Sequence, residues 1–165
     1  MSIKEGFLIE LERETANTRR IVERLEDKHL SWKPHVKSMS AGELAGHVVE
    51  LHNWVAGGLG LVEFDFHQHY VPFKPTTVAE ILAKLDDGYE KNVAMINALS
   101  DEDWSSLWKL KAGEHVIAEM PKIGAMRFII QNHLVHHRGQ LSVYLRMLDI
   151  PVPGIYGPSA DDNNV

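Results

Sequence analysis

From Gly124 to Leu148 the side chains Met126, Ile130, His133, His137, Leu141, Tyr144 and Leu148 advance in steps of three, four and seven. That spacing lays them along one face of a helix. Pro151 ends it, because the residue before a proline is pushed out of helical backbone. Two imidazoles therefore interrupt an otherwise apolar stripe. An unpaired buried polar group costs roughly 1–3 kcal/mol, so two stacked imidazoles in a core require partners. His133 and His137, at i and i+4, sit one turn apart and can converge on one cation, as in the H-E-x-x-H helices that bind zinc. A third histidine, His47, lies on a separate helical stretch. The chain then needs a fold in which helices face one another across a core, the setting in which bundle metal sites are built.

Three further stretches supply such helices. Ile3, Phe7, Leu11, Thr18, Ile21, Val22 and Leu25 follow helical spacing from Ile3 to about Leu25. Asp27 to Met39 breaks the pattern and reads as a loop that Trp32 packs onto the helices. Ser40-Ala41-Gly42-Glu43 is a capping box, with Met39 and Leu44 placed for a hydrophobic staple. The helix it opens buries Leu44, Val48, Leu51 and Val55, sets His47 beside that stripe, and closes near Leu61. Glu63 to Pro75, rich in aromatics and carrying two prolines, reads as an ordered connection over the bundle end. Thr77-Val78-Ala79-Glu80 is a second capping box, and the periodicity behind it runs to Leu99. Ser100 to Asp103 caps a short turn. Leu107 to Lys122 fits a short hairpin or irregular excursion, and Pro151 to Val165 an irregular tail. The expectation is one all-α domain over residues 1–165, a four-helix bundle with a short irregular or hairpin excursion before its last helix.

With 17 basic and 23 acidic residues the net charge is -6, and no dense Lys/Arg patch is present. That balance argues against nucleic acid or an anionic membrane as partner. The charge-poor stretches are too short to span a bilayer, and Met1-Ser2-Ile3-Lys4-Glu5 opens no signal peptide, so a cytoplasmic location is expected. Cysteine is absent, which excludes disulfides, thiolate zinc sites and a cysteine nucleophile.

Ten histidines in 165 residues are an excess that favours metal chemistry. His29, His35 and His115 read as surface or loop residues. An extended His67-Gln68-His69 would present two imidazoles on one side, a candidate metal pair. A covering loop with both partly exposed is the preferred reading. His136 falls off the His133/His137 face, toward solvent or an outer shell. His52, five positions after His47, is a poor angular match. Glu50, Arg138 and Gln140 could orient ligands or substrate, but a surface or salt-bridge role is the preferred reading of each. Three neutral imidazoles leave a cation's charge uncancelled, so a bound water or thiol becomes acidic. Imidazole ligands suit Zn, Ni, Cu or Fe.

Leu44-Ala45-Gly46-His47 after a capped start, then Asn132-His133-Leu134-Val135-His136-His137-Arg138-Gly139-Gln140-Leu141, resembles the DinB family, the DinB/YfiT-like metalloenzymes. The ending from Leu148 to Asp161 is similar to that family's C-terminus, and H-x-x-H-H-R-G-Q is the most specific segment. The resemblance implies an up-down-down-up four-helix bundle that forms a homodimer. It also implies a Ni or Zn site made by His47, His133 and His137. Family members with assigned activities are thiol-dependent S-transferases and isomerases, or metal-dependent hydrolases. The expected function is then an enzyme whose divalent metal activates water, or a low-molecular-weight thiol cosubstrate, toward a small-molecule substrate. No catalytic base is assigned, since Glu50, Glu114 and His115 lack a defined geometry. The competing class is non-catalytic: a metal that staples two helices, or a small-molecule-binding stress protein.

Overall fold

The computed structural model describes residues 2–162. Helix α1 (Ile3–Val22) starts at Ser2, whose hydroxyl accepts from the Glu5 amide. Helix α2 (Ala41–Gly57) starts at the anticipated box: Ser40 Oγ accepts from Glu43 N at 3.1 Å, and the Glu43 carboxylate accepts from Ser40 N at 2.7 Å. Strand β1 (Glu63–Asp65) and the single turn α3 (Phe66–His69) follow. Helix α4 (Val78–Ala98) is capped by Thr77 and Glu80, and the short α5 (Asp101–Ser105) by Ser100 and Asp103. Strands β2 (Leu107–Ala112) and β3 (His115–Pro121) form a hairpin, and α6 (Lys122–Ala125) leads into a π-helical turn, Met126–Gln131. Helix α7 (Asn132–Met147) completes the regular structure.

The expectation of a purely helical fold is wrong. β1 pairs in parallel with β2, and β2 antiparallel with β3, giving a three-stranded mixed sheet in the order β1-β2-β3. The hairpin itself agrees with one of the two readings of Leu107 to Lys122. Its turn rests on Gly113 at φ +60, a left-handed conformation that favours glycine. Trp108 and Leu110 alternate inward, and the Trp108 indole N–H donates to the Gly58 carbonyl at 3.1 Å, tying the hairpin to the end of α2. β1 escaped notice because it is three residues long and its partner lies far along the chain. The helix at Ile3 also stops at Val22 rather than Leu25, and α2 at Gly57 rather than Leu61.

The four long helices enclose the core. At one end Phe7, Leu11, Val55, Ile96, Trp104, Trp108, Met126 and Ile130 pack together; at the other, Ile21, Leu44, Val49, Ile81, Leu85, Leu141 and Leu145. Between them Val48 and Leu51 of α2 meet Leu134 of α7. This seam positions the site, because His47 and His133 each immediately precede one of its residues.

The last helix departs from its simple periodicity. The π turn carries one more residue per turn than an α-helix would, so everything after it is rotated. The buried positions of α7 are Leu134, Arg138, Leu141 and Leu145. His133 and His137 are turned to the edge of the stripe, half-buried rather than within the core. As anticipated, Trp32 anchors its loop, stacking edge-on against Tyr144 at 5.4 Å. The tail is irregular through Asp162 and pinned by Arg146 and Asp161 at 2.6 Å; residues 163–165 lie outside the described residues. No helix among the described residues is long and apolar enough to cross a membrane.

Candidate metal centre

Across the α2–α7 seam, His47, His133 and His137 each offer one ligand atom, all within 4.8 Å of one another. The ring centroids of His47 lie 5.3 Å from His133 and 4.8 Å from His137. The Nε2 atoms of His133 and His137 are 2.9 Å apart.

Their tautomers follow from the partners of the remaining ring nitrogens. His137 Nδ1 faces Gln140 Oε1 at 2.7 Å, and His47 Nδ1 faces Glu50 Oε2 at 3.2 Å. With its Nδ1 proton committed to Gln140, His137 presents its Nε2 lone pair to His133 Nε2, and either a proton or a shared cation bridges the 2.9 Å between them. Nitrogens each about 2.0–2.1 Å from one ion lie about 3 Å apart, so the observed spacing fits a common metal. Burial, reinforced by the neighbouring imidazoles, pushes His133 down to about 4, and burial also lowers His137. Both are therefore neutral donors at pH 7.

Glu50, 8% exposed, holds the arrangement from behind. Besides facing His47 Nδ1, it accepts from the Tyr70 hydroxyl at 3.2 Å and from the Phe73 backbone N–H. A carboxylate behind a ligating imidazole fixes ring orientation and raises ligand basicity. Burial and the Glu50 charge push the Tyr70 hydroxyl above its ordinary value. The connection from Glu63 to Pro75 is thereby fastened to the site through one carboxylate. On its open side His47 faces a cleft of about 620 Å³ that Lys33, Glu43, Tyr70 and Phe73 also line. No fourth histidine or carboxylate joins the group among the described residues.

The other histidines stand apart. His67 and His69 are exposed and lie in a helical turn, not an extended segment, so they do not face one side together. His69 Nδ1 instead accepts from the Asp65 amide at 2.9 Å. His136 stacks against the His137 ring at 4.9 Å but is exposed. His52 is buried away from the group, bonded to Thr15 Oγ1 and Asn53 Oδ1, each at 2.8 Å, and burial lowers it to about 4. Glu114, in the β2–β3 turn, and His115, at the start of β3, are both exposed. Sequence reasoning preferred a surface or salt-bridge role for Glu50 and Gln140, although their i+3 spacing from His47 and His137 was the available signal for ligand contact. Arg138 had none. It is 2% exposed, and it bonds the Glu14 carboxylate and the Tyr156 hydroxyl at 2.5 Å and Thr18 at 3.2 Å.

A family model described as the DinB superfamily matches residues 10–141, a span that includes all three histidines. The chain is 27% identical over 158 residues to the YrdA protein of Bacillus subtilis (strain 168), covering 96% of this chain and 90% of that one. A crystal structure of a DinB-like protein from Bacillus cereus ATCC 10987 is similar at a TM-score of 0.71 and 26% identity, over 92% of this chain and 97% of that one. The DinB-like protein YjoA of Bacillus subtilis shares the fold, with a TM-score of 0.69 at 21% identity over 87% and 92% of the two chains.

Proposed function

The chain belongs to the DinB superfamily, and on that premise we propose that it is a divalent-metal-dependent enzyme acting on a small electrophile. The observation that carries this reading is the pair of Nε2 atoms 2.9 Å apart, with a third imidazole beside them at the wall of a cleft. His47, His133 and His137 would hold the ion, nickel and zinc both being suited to imidazole. When bound, it supplies Lewis acidity that lowers the pKa of a water or thiol. Glu50 and Gln140 hold two of the rings in the tautomer that leaves Nε2 free. With its oxygens already engaged by three donors, Glu50 is a positioning residue rather than a base. The cleft admits a small molecule, and the absence of cysteine means that any thiol arrives as a cosubstrate.

The test is to strip the protein with chelator, reload it with zinc or nickel, and assay model esters against thiol conjugation. Metal-restored turnover in either assay, lost in His133→Ala without loss of the fold, is the expected result; which assay responds separates hydrolase from transferase. Inactivity in both, with chelation melting the fold, would identify a structural metal instead.

A further inference from the structure

The irregular segment over residues 70–75 forms one wall of the cleft beside His47, to which it contributes Tyr70, Pro72, Phe73, Lys74 and Pro75. Val71, Pro72 and Lys74 are exposed, so this strap meets the rest of the molecule through few groups. Segments held by few buried contacts open locally at low cost. Two positions on α2, one turn apart, receive it. At Gly46 an added Cβ would stand 3.1 and 3.2 Å from two carbons of the Pro75 ring and 3.5 Å from the Phe73 ring, so the missing side chain is what lets the strap lie this close. At Glu50 the carboxylate accepts from the Tyr70 hydroxyl on Oε2 and from the Phe73 amide on Oε1. His47 lies between these positions in sequence, and its Nδ1 faces the same Oε2 at 3.2 Å.

Strap and metal ligand thus share one acceptor group. A free imidazole can exchange tautomers or rotate, and either change removes the N–H aimed at Glu50. An imidazole that ligates through Nε2 keeps its proton on Nδ1, where the carboxylate behind it fixes the ring. The ligating form of His47 therefore holds the Glu50 carboxylate in the orientation that also serves the Tyr70 hydroxyl and the Phe73 amide. Two events that favour one orientation of the same group favour each other, and their coupling is equal in both directions.

We propose that the strap over residues 70–75 is coupled to metal occupancy through Glu50: ligation at His47 holds the strap on α2, and the seated strap tightens the metal site. The wall of the cleft is then held more firmly in the metal-loaded protein. This rests on the three-histidine metal site of the proposed function, not on the chemistry run there.

The experiment is hydrogen–deuterium exchange mass spectrometry of the full chain after chelator treatment and again at saturating zinc. Pro72 and Pro75 carry no amide, so peptides over the strap report chiefly on Val71, Phe73 and Lys74. Zinc should slow exchange there at least about fivefold, the low end of ordinary coupling between sites, and by less than about twofold in Glu50→Ala. Gly46→Val, whose side chain meets Pro75, should exchange the strap faster and weaken zinc binding at least about fivefold in a chelator competition. Valine is no worse than glycine inside a helix, and the smaller Gly46→Ala should move both readings the same way by less. Added to Glu50→Ala, Gly46→Val should change zinc affinity by no more than about twofold, because the connecting group is gone. Zinc bound with strap exchange unchanged, equal protection in Glu50→Ala, or a Gly46→Val loss that persists without Glu50 would each overturn the coupling and leave the metal site standing. A protein that takes up no zinc would overturn both.

Discussion

Replacing Glu50 tests how the site is built. The carboxylate carries three donors: His47 Nδ1, the Tyr70 hydroxyl and the Phe73 backbone N–H. Glu50→Ala leaves His47 free to rotate and abandons two donors of the Glu63–Pro75 connection in a region where the carboxylate was 8% exposed. Outer partners of ligating histidines contribute about 10–100-fold in metal affinity, equivalent to about 1.4–2.7 kcal/mol. Each buried donor left unpaired costs roughly 1–3 kcal/mol where water cannot reach it. Glu50→Ala should therefore bind zinc about 10–100-fold more weakly in a chelator competition and exchange the Phe73 amide faster by hydrogen–deuterium mass spectrometry. Glu50→Gln, which keeps one acceptor oxygen, should fall between the two proteins on both measures. Zinc affinity within about twofold of the parent in Glu50→Ala would refute the idea that this carboxylate orients His47.

Two further perturbations separate the site from its scaffold. His52 is held near 4 against an ordinary 6.5, so the unfolded chain takes up its proton first as pH falls. Its contribution is complete above pH 6.5 and lost toward pH 4, with a total of about 3 kcal/mol. Urea unfolding at pH 7 and pH 4.5 should show the parent losing about 2–3 kcal/mol more than His52→Gln across that interval; equal losses would contradict it. Arg138→Met should cost about 3–5 kcal/mol in the same assay, because it strands Glu14 beside a largely buried partner position, while zinc affinity per folded molecule stays unchanged. A parallel drop in that affinity would show that Arg138 acts on the site.

What could be read ahead of the structure was local. Ser40 with Glu43 and Thr77 with Glu80 mark helix starts because each cap closes within four residues. The i,i+4 spacing of His133 and His137 likewise needs only a helix. The misses are non-local or depend on irregular backbone. Phe64 sits opposite Leu110 in parallel register, a pairing that nothing in the short β1 segment announces. The π turn at Met126–Gln131 rotates α7, so periodicity assigned His133 and His137 to the buried stripe where Leu134 and Arg138 lie. That rotation matters chemically, since it moves the imidazoles from the core interior to an edge beside His47. The role of Glu50 was hidden in part because Tyr70 and Phe73 reach it only once the connection folds back over α2.

The most direct measurement is metal content of the purified protein by elemental analysis, coupled to X-ray absorption at the edge of whichever ion is found. One ion per chain with three imidazole nitrogens at about 2.0–2.1 Å, reduced in number in His47→Ala as well as in His133→Ala, is the expected result. A protein that takes up no divalent ion, or one whose ion keeps its full imidazole shell in His47→Ala, would show that the three rings do not share a metal.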